Sequence, residues 1–178
     1  MARSSLIRLI DLSRERDECF RIDAPGQAVA VDRFDAAAGE TIALVPADRV
    51  SLVTVELPSM SPARLQQALR WAVEEHIAGD PAQQHVVPVR RLGDQRLQCM
   101  VVSRDDMRQW LDRLEHLPSR MLPDAACLPW VSGQVTLAAS NDAVLARWGE
   151  TDFDRIDADM LDVVLPELSA HGELIWLG

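Results

Sequence analysis

The stretch SPARLQQALRWAVEEHIAGDP, residues 61–81, decides how the rest of the chain is read. Leu65, Ala68, Leu69, Ala72 and Ile77 recur at helical spacing and define one apolar face. Ser61 stands at the N-cap, where its hydroxyl is expected to accept a bond from a first-turn amide, and Pro62 follows at the first helical position. Gly79 and Pro81 are expected to end the helix. Upstream, VSLVTVELP (50–58) alternates as a strand. Downstream, QHVVPVRR (84–91) and QRLQCMVVS (95–103) flank the turn LGDQ (92–95) as a hairpin. Residues 50–103 therefore read as strand, helix, strand, strand, a compact unit by itself.

Outward from this unit, the chain opens as a β-meander. SSLIRLIDL (4–12), ECFRID (18–23) and QAVAVDRF (27–34) are separated by the turn signals RERD and APGQ. DAAAG (35–39) reads as a turn or single helical turn, and TIALVPA (41–47) as a fourth apolar strand. Ser103 caps a second helix over RDDMRQWLDRLEHL (104–117), with Asp105 and Asp106 in the first turn and Met107, Trp110, Leu111 and Leu114 as its core stripe. LPSRMLPDAACLPW (117–130) holds three prolines and reads as a connector with one helical turn. GQVTLAAS (133–140) and AVLARWG (143–149) form a strand pair around Asn141-Asp142. DADMLDVVLPEL (157–168) reads as a helix interrupted near Pro166, and ELIWLG (173–178) as a final strand.

Composition removes several classes of chemistry. The chain has 178 residues, 48% of them apolar, which suffices for a real core. All 18 basic residues are arginine, so neither a P-loop lysine nor a Schiff-base amine exists. Cys19, Cys99 and Cys127 are an odd, scattered set that suits reduced thiols, and His76, His85, His116 and His171 lack metal-ligand spacing. No metal and no cofactor is expected. The net charge is −10, and residues 150–178 carry one arginine against eight acids. Without a basic stripe, nucleic acid is excluded as a partner. No apolar run of 18 residues or more and no signal peptide occur, so the chain is expected on the cytoplasmic side.

The carboxylates Glu74 and Glu75 lie about 100° apart on a helix and cannot easily converge on one atom. They read as the polar flank of the apolar stripe. Trp71 falls off the stripe between Leu69 and Ala72, which leaves it partly exposed as a candidate interface anchor, with half-buried packing the commoner case, whereas Trp110 sits on its stripe as core.

In order, LVPADRVSLVTVELPSMSPARLQQALRWAVEEHIAGDP (44–81), MVVSRDDMRQWLDRL (100–114) and LPDAACLPW (122–130) resemble the cytoplasmic part of the type II secretion system protein L family. The shared features are a valine-proline segment, Leu-Pro, a helix ending in Glu-Glu, a strand pair, a helix with Trp-Leu and a proline–acid–x-x-x–Leu-Pro connector. The resemblance implies a mixed α/β fold of the actin-like ATPase and ribonuclease-H-like architecture. On it, residues 1–49 begin the first ribonuclease-H-like subdomain and 50–103 are a strand–helix–strand–strand insertion. Residues 104–130 are helix and connector, and 131–178 start a second subdomain whose remaining elements and membrane span are expected further downstream.

The resemblance also implies a non-enzymatic scaffold at the cytoplasmic face of the bacterial inner membrane. It would recruit the secretion ATPase, protein E, through that ATPase's N-terminal domain, and in its full length associate with protein M and the other platform components. A second copy of the chain stands as a further candidate partner. The expected docking residues are Trp71, Glu74 and Glu75 on the helix and Arg90 and Arg91 on the hairpin; ordinary solvated side chains are the bland alternative. Two rival readings exist. One is an actin-like phosphohydrolase using Asp11 with magnesium, although Asp11-Leu12-Ser13-Arg14 lacks the glycine that lets a backbone approach phosphate. The other is a scaffold like pilus-assembly protein M, which takes a short peptide from its membrane partner.

Overall fold

A computed structural model of the chain describes residues 5–14, 16–24, 27–32, 35, 39–77 and 79–177. Its backbone divides into two compact units, residues 1–48 with 114–178, and residues 49–113. In the first unit, β1 (Ser5–Asp11), β2 (Arg16–Ala24) and β3 (Gln27–Ala30) form the expected antiparallel meander. The apolar β4 (Gly39–Val45) returns parallel to β1 and buries Ile42, Ala43 and Val45. Of the DAAAG turn, Ala36 to Ala38 lie outside the described residues.

After a 3-10 turn at Ala47–Arg49 the chain enters the second unit. Strand β5 (Ser51–Glu56) buries Val53 and Val55 and turns Thr54 and Glu56 to solvent, as its alternation requires. Helix α1 (Pro62–Ala72) follows, then the hairpin of β6 (Gln84–Leu92) and β7 (Arg96–Ser103). The sheet order is β5–β7–β6. Leu69 and Val73 pack on Val53, Val55, Leu97, Cys99 and Val101, with Leu65, Ala72, Ile77 and Val86 around them. Burial in this core pushes the Cys99 thiol up to about 11, which makes it an inert packing group.

Two local expectations at α1 need correction. Ser61 is at the N-cap, and its carbonyl accepts from the Leu65 amide at 2.9 Å, but its hydroxyl makes no capping bond. At α2 (Arg104–Asp112) the hydroxyl of Ser103 does cap: it accepts from the Asp106 amide and donates to the Asp106 carboxylate. The difference lies three residues on, where α2 offers an acid to hold the hydroxyl proton and α1 offers Arg64. Second, α1 stops at Ala72, seven residues before Gly79. Val73 closes it, and Glu74–His76 form a separate 3-10 turn. Two carboxylates at the negative end of the helix dipole disfavour further α-helix.

The chain then returns to the first unit through a strand, where the proline-rich stretch reads as a connector. Strand β8 (Arg120–Pro123) pairs parallel with β4, Ile42 opposite Arg120 through Val45 opposite Pro123. Four residues are too few to show alternation; the open edge of β4 makes them a strand. A 3-10 turn at Ala125–Cys127 leads to β9 (Gln134–Ser140) and β10 (Ala143–Arg147), joined at Asn141-Asp142 with Asn141 at φ 53°. Strand β11 (Phe153–Asp157) adds to β10. It escapes a hydrophobicity reading because its inward face carries Arg155. Helix α3 (Leu161–Ser169) runs through Pro166 without the expected interruption. Pro166 and Asp162 are both exposed, so the carbonyl left without its amide faces water. Strand β12 (Glu173–Leu177) then lies parallel to β9.

The two sheets of this unit, β3–β2–β1–β4–β8 and β11–β10–β9–β12, repeat one topology. In each, three strands meander and the next lies parallel beside the first. Asp124 joins them. Its amide donates to Val45 O, its Oδ1 accepts from the amides of Ala47 and Ala125, and its Oδ2 accepts from Arg155 Nη1 at 2.8 Å. Asp124 and Arg155 are 3% and 11% exposed. Burial raises the Asp124 pKa above the ordinary value, against the pull of the Ala125 amide, Arg155 and the Ala47 amide.

Leu69, only 2% exposed, anchors α1; Leu69→Ala is expected to cost about 3 kcal/mol in urea unfolding. For Asp124, a raised folded pKa means that the carboxylate weakens folding as the pH climbs through that value, and Arg155 opposes the loss. Arg155→Met is expected to cost about 3–5 kcal/mol near pH 7 and less at acid pH, where the carboxyl takes up a proton. An equal loss at both values would show that Arg155 acts through something other than the Asp124 charge.

Candidate functional site

Each docking candidate has a definite place in the 49–113 unit. The face of α1 toward the sheet carries Leu65, Leu69 and Ala72, and Trp71 is therefore turned outward. It is 71% exposed, far more than a half-buried packing tryptophan. Glu74 and Glu75 project from the 3-10 turn that follows, both exposed. Between α1 and residues 80–86 lies a groove of about 720 Å³. Trp71, Glu74, Gln67 and Arg70 line it from the helix side, and His85 and Arg104 from the other.

The structure thus brings Trp71 and Glu74 to one groove, whereas Glu75, Arg90 and Arg91 lie outside its lining. Arg91 is spent locally: its Nη1 donates to Leu57 O at 3.0 Å and Asp94 O at 3.3 Å, tying the hairpin turn to the end of β5. Arg90 is half-buried on the same strand. Among the lining residues that sequence reasoning missed are the charged Arg70, Asp80 and Arg104 and the imidazole of His85. Arg104 is set by the cap of α2, where its Nε donates to Gln84 O at 3.2 Å, a contact no local pattern announces. The floor is apolar, from Leu69 and Val86, and both signs of charge stand on the walls, with Arg70 and Arg104 beside Glu74 and Asp80. An apolar floor with an exposed aromatic and mixed charge suits a protein surface better than a small charged metabolite.

The carboxylate of Asp11 is engaged by its own turn. Oδ1 accepts from the Ser13 amide, the Ser13 hydroxyl and the Arg14 amide, and Arg14 Nε lies 3.7 Å from Oδ2. Among the described residues no group of three or more His, Cys, Asp or Glu side chains is placed to hold a metal ion. No helix of the described residues is long and apolar enough to cross a membrane.

An exposed tryptophan that supports no core can be removed without unfolding the unit. Trp71→Ala is expected to change the unfolding free energy by no more than about 0.5 kcal/mol; a larger loss in urea titration would make Trp71 a packing residue.

Known proteins place this architecture. The family model described as "Type II secretion system (T2SS), protein L" matches residues 26–176. Among curated proteins, the type II secretion system protein L of Pseudomonas aeruginosa is 34% identical over 116 residues, 60% of this chain and 30% of that protein. The protein L of Dickeya chrysanthemi is 34% identical over 89 residues, 48% of this chain and 22% of that protein. The chain thus spans less than a third of the length of the curated relatives it matches. Among solved structures, the cytoplasmic domain of EpsL, an inner-membrane component of the type II secretion system of Vibrio cholerae, aligns with a TM-score of 0.68 at 21% identity, over 91% of this chain and 74% of that one. A PilM–PilN type IV pilus biogenesis complex aligns with a TM-score of 0.50 at 12% identity, over 94% and 67%. These two likenesses support the mixed α/β, actin-like fold. The family model covers most of the chain, and with it the chain belongs to the type II secretion system protein L family.

Proposed function

We propose that this chain is the cytoplasmic scaffold of the type II secretion inner-membrane platform and recruits the secretion ATPase, protein E, through that ATPase's N-terminal domain. It works at the cytoplasmic face of the inner membrane, held there by a span downstream, and it carries out no catalysis of its own. Protein M and the other platform components are partners of the full-length protein. The groove of the 49–113 unit is the docking surface, with Trp71 as the anchor and Glu74 fixing orientation by charge.

One observation carries this reading. Trp71 stands 71% exposed at the rim of an apolar-floored groove, on a helix whose other large apolar side chains, Leu65 and Leu69, pack toward the core. An exposed tryptophan beside an apolar-floored groove is the type of side chain that anchors protein interfaces. The local role of Arg91 narrows the surface further, because a guanidinium bonded to two carbonyls of its own hairpin is not a docking charge. A second reading, a scaffold that takes a short peptide from a membrane partner, is favoured by the groove's shape between a helix and a sheet edge.

Calorimetry of the chain against the ATPase N-terminal domain tests both. Saturable binding is expected, weakened at least about tenfold by Trp71→Ala, weakened by Glu74→Arg and unchanged by Arg91→Ala. Binding indifferent to Trp71 and Glu74 would move the interface elsewhere on the chain. Heat with a peptide from the membrane partner, and none with the ATPase domain, would replace the first reading by the second.

A further inference from the structure

The repeated topology of the first unit makes two hairpin turns equivalent. One joins β1 to β2 through residues 12–14, the other joins β9 to β10 at Asn141-Asp142. A single side chain from the first reaches the second. Arg14 Nη2 donates to Ala139 O at 2.5 Å and its Nε donates to Ser140 Oγ at 3.1 Å. Ser140 is 1% exposed, and its Oγ also accepts from Arg155 Nη1 at 3.0 Å, while Arg155 Nη2 reaches Ser140 O at 3.4 Å.

We infer that Arg14 is an internal brace: its guanidinium occupies the space between the two equivalent turns and holds the two sheets of the unit together, so that this space is closed to a phosphate-bearing ligand. The brace is built from both sides. Asp11 fixes the backbone of Ser13 and Arg14 through two amides, which aims the arginine across the gap. On the far side Ser140 is pinned by Arg155, itself bonded to Asp124. Two guanidiniums converging on one hydroxyl would repel each other in isolation. Here four carboxylates surround them: Asp11 at 3.7 Å from Arg14, and Asp124, Asp142 and Asp48 at 2.8, 3.7 and 3.9 Å from Arg155. An anion placed between the turns would meet those four negative charges and would have to displace a guanidinium already bonded to Ala139 and Ser140. The inference concerns the first unit alone and does not depend on what docks at the groove of the second.

The test is a double-variant cycle in thermal unfolding, with Mg·ATP as the ligand probe. Arg14→Ala and Ser140→Ala are each expected to lower Tm by about 5 °C. The double variant is expected to fall short of the sum of the two, because both remove the same contact. Hydrogen exchange should rise at residues 139–143 in Arg14→Ala and stay unchanged across 49–113. If Arg14→Ala does not fold, Arg14→Lys keeps the charge without the fork and is expected to show a smaller loss with the same local exchange pattern. Millimolar Mg·ATP is expected to leave the wild-type Tm unchanged. Additive losses, an unaltered Tm in Arg14→Ala, or a wild-type Tm raised by Mg·ATP would each overturn the brace.

Discussion

Asp124 is the residue on which the first unit depends. One buried carboxylate takes the amide at the exit of β4, the first amide of the following 3-10 turn and the guanidinium of Arg155 from β11. Its own amide closes on Val45. The chain departs for the 49–113 unit beyond Ala47 and comes back through β8, so Asp124 fixes departure and return at one point. A charge buried this deeply is tolerable only with every oxygen occupied, and each of its partners is held by a different element. Losing any of them leaves a buried charge uncompensated, which is why the joint is strict in chemistry and not merely apolar.

This arrangement gives a physical meaning to the proline–acid–x-x-x–Leu-Pro pattern. Pro123 ends β8 on the edge of β4, the acid turns inward as the joint, and the small pair Ala125-Ala126 permits the tight turn, with Ala125 wholly buried against Ala47 and Leu145. A second guanidinium completes the neighbourhood. Arg147 donates to the carbonyls of Ala126, Leu128, Gly149 and Glu150, holding the same turn and the end of β10 by main-chain contacts. Arginine suits this work, since its planar fork serves several acceptors at once where lysine would serve one direction. In a chain whose basic residues are all arginine, several are internal struts and not surface charge.

The inserted unit follows a different logic. It is held by an apolar layer between α1 and a three-stranded sheet, with no buried ion pair among its described core residues. Apart from the buried Gln98, its polar chemistry lies largely at the surface, around the groove with Trp71 at the rim. Placing the exposed aromatic on a unit with its own core lets the proposed docking surface vary without loosening the Asp124 joint.

What the sequence by itself determined is what local periodicity and turn chemistry encode. The meander, the strand–helix–strand–strand unit, the Ser103 cap, the Asn141-Asp142 hairpin and the buried Trp110 were all legible, because each rests on neighbours within a few residues. The position of Trp71 off the stripe left half-buried packing as the commoner case, and only the fold turned it 71% to solvent. Tertiary structure alone decided the rest. Strand β8 exists because β4 offers an edge, β11 hides behind its inward Arg155, and α3 passes Pro166 because that face meets water. The tie from Arg91 to Leu57 and the joining of residues 14, 124, 140 and 155 depend on partners tens of residues away. Hydrophobic pattern carries the direction a side chain faces, but not which distant charge or edge will be waiting for it.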